Sequence, residues 1–146
     1  MNYGVAEEKI KEIISESSNV LDDVVDYIYQ NFDSYNWIGI YIVKGYDLIL
    51  GPWRGKQSTE HIKIPIGKGI CGFAASSGKT EIVPDVSADN RYLSCFNSTK
   101  SEIVVPIKKD GRIIGEIDID SDEKAAFNSD DSVFLEKVAD LINNFI

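Results

Sequence analysis

The chain has one histidine, His61, and two cysteines, Cys71 and Cys95, among its 146 residues. A single histidine excludes a multi-histidine zinc centre, and two cysteines with one remote histidine do not form a zinc-binding spacing. Two cysteines are also too few for a disulfide scaffold. Basic residues are scarce: 15 against 24 acidic, for a formal net charge of −9. That excludes the basic stripe on which a sequence-independent nucleic-acid binder depends and disfavours an anionic membrane surface. No apolar run approaches the roughly 18 residues of a membrane span. The first residues, "MNYGVAEEKIKEII", lack the shape of a signal peptide. A cytoplasmic chain that binds neither nucleic acid nor membrane is therefore expected, with a small cationic or zwitterionic molecule as a fitting ligand. In that compartment a cysteine pair is redox-active, metal-binding or simply buried.

What is present is an ordinary globular composition, 43% apolar and 27% charged, at a length that suits one domain over 1–146. Apolar residues recur at helical spacing through Ile10, Ile13, Ile14, Leu21, Val24, Val25, Ile28 and Phe32. "SESSN" (15–19) predicts a break in that helix. A last helix carries Val133, Phe134, Val138, Leu141, Ile142 and Phe145, with Ser129 expected as its N-cap. Strands are predicted at 37–43, 46–53, 61–66, 80–85, 102–107 and 112–120, and a short helix at 69–78 closed by Gly78. An antiparallel sheet of six strands with helices at both chain ends is an α+β layout.

The turn in "KKDGR" sets the register of the last hairpin. A three-residue loop, Lys109-Asp110-Gly111, would place Ile103 opposite Ile117, Ile107 opposite Ile113, and Glu102 opposite Asp118; a two-residue loop would mix apolar and charged residues on both faces. On the favoured register Glu102, Asp118 and Asp120 share a face, and Glu116 adds a fourth acid. Such charges are unremarkable on a wet sheet face, yet directly opposed like charges are destabilising. They point to a cation, either an ammonium group or a hard metal ion with oxygen ligands. Trp37 and Tyr41 share a strand face across Gly39, which leaves room for something to approach the backbone. They suit the core, or a wall for a sulfur-containing group. "GKGICG" (67–72) matches a dinucleotide-binding pattern literally, but the following helix is too short for a βαβ crossover, so its glycines serve a tight turn. His61 fits a structural role. Cys95 lies in the polar loop "YLSCFNSTKSE", where Arg91 and Lys100 would lower its pKa and the acids would raise it.

"NWIGIYIVKGYDLILGPWRGK", "IPIGKGICGFAASSGKTEIVPDV", "SEIVVPIKKDGRIIGEIDIDS" and the cysteine loop between the last two carry a resemblance. From about Asn36 to Asp122 the chain resembles a GAF domain and, within that superfamily, the free methionine-(R)-sulfoxide reductases. The resemblance implies a single GAF domain whose terminal helices pack on one face of the sheet. It also implies reduction of free L-methionine-(R)-sulfoxide, a role in repair after oxidative stress, and a homodimer. By match to the family's motifs, Cys95 would be the nucleophile, Cys71 the resolving cysteine, Trp37 and Tyr41 the pocket aromatics, and Glu102, Asp118 and Asp120 the pocket carboxylates. No metal and no bound cofactor are implied, only an external dithiol such as thioredoxin. Many family members carry a third cysteine before "IPIGKG"; here that segment reads "RGKQSTEHIKIPI", which resembles a two-cysteine subgroup. GAF domains also include non-catalytic small-molecule sensors, and that alternative stays open.

Overall fold

The computed structural model describes residues 2–146 apart from 94, 95 and 97; the expectations placed on Cys95 lie outside the described residues. The chain opens with α1 (Tyr3–Glu16) and α2 (Val20–Asn31), which break at the predicted Ser-Ser-Asn segment. A hairpin follows, β1 (Trp37–Lys44) and β2 (Asp47–Gly55), then β3 (Lys63–Pro65), α3 (Gly69–Ser77) and β4 (Glu81–Val83). The second hairpin, β5 (Ser101–Lys109) and β6 (Arg112–Ser121), leads to α4 (Ser129–Ile142). The strands form one six-stranded sheet in the order β3-β2-β1-β6-β5-β4, with every pair antiparallel.

Alternation along the strands divides the molecule into layers. Ile38, Ile40, Ile103, Val105, Ile117 and Ile119 point to one face and pack against α1, α2 and α4. The terminal helices thus share one face, as expected. Trp37, Tyr41, Leu48 and Val104 point to the other face, under α3 and its Ile70, Cys71 and Ala74. α1 is tied to α4 through a buried carboxylate: Asp131 accepts hydrogen bonds from the Tyr3 and Tyr35 hydroxyls. Burial and that hydrogen bond push the Tyr3 phenol up to about 12.

Two local expectations are corrected. The N-cap of α4 is Asn128, not Ser129, which is its first helical residue. The Asn128 side chain accepts from the backbone N–H of Asp130 and Asp131, and the Asp131 carboxylate accepts from Asn128 N–H, a reciprocal box that serine at 129 could not close. The β5–β6 hairpin closes through a two-residue turn, not three. Asp110 and Gly111 both have positive φ, 53° and 76°, as in the Asp-Gly turn that matches strand twist. The pairing jumps from Lys108↔Ile113 to Ile107↔Gly115. Ile114 is the extra residue of a bulge, and it restores the alternation that a plain two-residue turn would break. Glu102 therefore faces Asp120, Ile103 faces Ile119, and Val104 faces Asp118.

Candidate active site

β6 lies between β1 and β5, so each of its carboxylates has a neighbour on both sides. Asp120 lies between Trp37 and Glu102, Asp118 between Gly39 and Val104, and Glu116 between Tyr41 and Pro106. The corrected register moves the partners but keeps the face: Glu102, Glu116, Asp118 and Asp120 still share it with Trp37 and Tyr41. All four carboxylates are buried, at 0–4% exposure. Two ionised carboxylates about 5 Å apart repel by about 3 kcal/mol at an effective dielectric constant of about 20. The row cannot be fully charged without a cation.

Burial is the main force on these groups. It pushes the Asp120 and Glu116 carboxyls well above the carboxylate range, and the charge of Asp118 adds to both shifts. Asp118 is also raised by burial, against hydrogen bonds from Glu102 and Cys71 and the nearby charge of His61. Both Glu116 oxygens, Asp118 Oδ1, Asp120 Oδ1 and Trp37 Nε1 have no hydrogen-bond partner among the described residues. Each such buried atom costs about 1–3 kcal/mol. These buried donors and acceptors lie on the face that carries Trp37 and Tyr41.

Cys71, in the first turn of α3, sits over the same row. Its Sγ and carboxylate oxygens of Glu102 and Asp118 all lie within 4.8 Å of one another. Burial first, then the charges of Asp118, Glu116 and Glu102, push its thiol well above its usual range. This trio is also the one group of described residues whose donor atoms could hold a metal ion.

The gap at Gly39 is occupied by Trp37 itself. A Cβ at Gly39 would lie 2.4 Å from Trp37 Cη2, and one at Gly55 would lie 2.3 Å from Trp37 Cδ1. The two glycines form the floor on which the indole lies. Trp53 stacks on Trp37 at 6.2 Å, and Phe96 meets it at 5.9 Å with the rings tilted 45°. Tyr41 is fully buried and donates its hydroxyl hydrogen to the His61 carbonyl oxygen at 2.7 Å, pinning the segment before β3.

Two depressions open onto the carboxylates. One is lined by Trp37, Phe96, Thr99 and Asp120, with Asn36, Lys56 and Asp122 among its other walls. The other is lined by His61, Cys71, Tyr92, Glu102 and Asp118. Sequence reasoning missed Lys56, Phe96 and Thr99. No signal in the sequence pointed to Lys56, whose place follows from the pairing of Gly55 with Trp37. Arg91 bonds Asp89 at 2.7 Å, approaches Glu81 at 3.5 Å and lies 4.4 Å over the Phe73 ring; its expected effect on Cys95 lies outside the described residues.

A central antiparallel sheet with three helices on one face and the short helix α3 over the other defines a GAF fold. The chain belongs to the GAF domain family, whose profile matches residues 16–146. It is 47% identical over 112 residues to a free methionine-R-sulfoxide reductase of Saccharomyces cerevisiae, covering 74% of this chain and 61% of that protein. The chain thus spans about three-fifths of that relative's length. The structure of a free methionine-R-sulfoxide reductase from Neisseria meningitidis, in complex with its substrate, superposes with a TM-score of 0.91 at 31% identity, covering 97% of this chain and 86% of that one. The reduced enzyme of Staphylococcus aureus gives 0.90 at 36% identity, covering 98% and 94%.

Proposed function

We propose that this chain reduces free L-methionine-(R)-sulfoxide to methionine. The observation that carries the reading is the row of buried, raised and partly unpartnered carboxylates beside the Trp37 indole, in a chain similar to proteins named for that activity. An aromatic wall suits the S-methyl end. A carboxylic acid kept protonated near neutral pH can donate a hydrogen bond to the sulfoxide oxygen and then a proton. The carboxylates that remain ionised would receive the substrate ammonium.

In the proposed chemistry the Cys95 thiolate attacks the sulfoxide sulfur. The oxygen, protonated by a pocket acid, passes to the cysteine sulfur, so the substrate gains two electrons and Cys95 becomes a sulfenic acid. Cys71, as its thiolate, then attacks the sulfenic sulfur; the hydroxide that leaves takes up the proton Cys71 gave up and departs as water, leaving a Cys71–Cys95 disulfide. An external dithiol of the thioredoxin kind reduces that bond by exchange and is itself oxidised. No bound cofactor takes part, and the active species is proposed to be a cytoplasmic homodimer.

The test mixes the purified protein with free L-methionine-(R)-sulfoxide and dithiothreitol and measures methionine. Turnover by the wild type and none by Cys95→Ser are expected. No turnover by the wild type, with binding retained, would favour a sensor; full turnover by Cys95→Ser would end the reductase reading.

A further inference from the structure

The substrate proposed above is a zwitterion, and the four acids deal with only one of its ends. Its α-carboxylate would be repelled by any ionised member of the row. The Trp37 hollow needs a cation at its mouth, and among the residues that line it there is one, Lys56.

The fold puts Lys56 there for a local reason. Gly55 pairs with Trp37 across β1 and β2 and lies so close that a Cβ would strike the indole. The strand end therefore runs along the ring, and the next residue emerges at the rim, beside Asn36 and Asp122. Lys56 is exposed and forms no ion pair within 4.0 Å with any described carboxylate, although Asp120 and Asp122 line the same hollow. The neighbouring cations are engaged elsewhere: Arg54 with Asp22 and Asp26, Lys63 with Asp47, and Arg91 with Asp89.

We infer that Lys56 binds the α-carboxylate of the free amino acid and so determines specificity for it; this rests on the reductase reading. The ammonium falls to the acids of the same hollow. Peptide-bound methionine sulfoxide has neither terminal charge, so both contacts are lost together.

The test compares free L-methionine-(R)-sulfoxide with its carboxamide, using wild type, Lys56→Met and Lys56→Arg. Lys56→Met should raise KM for the free acid by about 10-fold at unchanged kcat, the pattern of lost uniform binding. Lys56→Arg should restore most of it. The wild type should bind the carboxamide about 10-fold more weakly than the acid, and Lys56→Met should not distinguish them. Tryptophan fluorescence titrations in a Cys95→Ser background repeat the comparison without turnover, so failure of the chemistry is read separately from failure of recognition. A KM for Lys56→Met within about twofold of wild type, or an equal acid-to-amide penalty in both proteins, would overturn the assignment.

Discussion

Glu102 and Asp120 stand directly opposite each other across β5 and β6, both buried, with the Trp37 indole on the far side of Asp120. Opposed carboxylates are tolerated only if they share protons or receive a cation. On the proposed function, the pair would be partly protonated when empty and more ionised when it holds the substrate ammonium.

The raised carboxyls set a pH dependence with a definite sign. A carboxyl whose folded pKa lies above its unfolded value binds protons more tightly in the native state. Stability is then greatest where both states are protonated and falls as pH rises from the ordinary carboxylate range toward the raised value. Glu116, fully buried and pushed up first by that burial and then by the charge of Asp118, is the cleanest reporter. Glu116→Gln is expected to raise Tm by about 2–4 °C at about pH 8 and much less at about pH 5. Thermal melts across that range check it, and an unchanged slope would show that Glu116 does not hold an extra proton.

Gly39→Ala tests the seat of the indole. The new methyl would fall 2.4 Å from Trp37 Cη2, well inside contact distance. The ring must tilt, at a cost of about 1–3 kcal/mol in stability. Altered near-ultraviolet circular dichroism and a raised KM are expected together. If both stay at wild-type values, the indole does not rest on Gly39.

Cys71 is proposed to resolve the oxidised nucleophile, yet burial and its acidic neighbours favour its neutral thiol. Disulfide formation needs the thiolate. The rate of resolution should therefore rise from about pH 7 to about pH 9, which trapping of residual sulfenic acid over time checks. Cys71→Ser should keep one turnover per chain and lose thioredoxin-dependent cycling. Full thioredoxin-supported rates in that variant would remove Cys71 from the cycle.

The carboxylate face was legible in the sequence because alternation along "GEIDID" survives any even shift of register. The pairing itself was not. Glu102 was placed against Asp118 because a three-residue turn and a two-residue turn with a bulge preserve the same alternation, and only the φ values of Asp110 and Gly111 separate them. The six strands and the break before α2 were readable from periodicity and Ser/Asn content. The position of Lys56 was not, since it follows from contact between Gly55 and a ring 18 residues earlier. Asn128 escaped notice because serine and asparagine are adjacent and both cap well.

The carboxylate strand β6 has a hydrogen-bonded neighbour on each side, so the acids are mounted on the interior of the sheet and not on an edge. Backbone breathing there requires two ladders to open at once, which makes the 116–120 amides candidates for the slowest hydrogen exchange in the molecule. The floor of the hollow is therefore set before any ligand arrives. On the proposed function, adjustment on binding would be left to the rim, where Lys56 and Phe96 sit, and the entropic penalty of recognition would fall on a few side chains there.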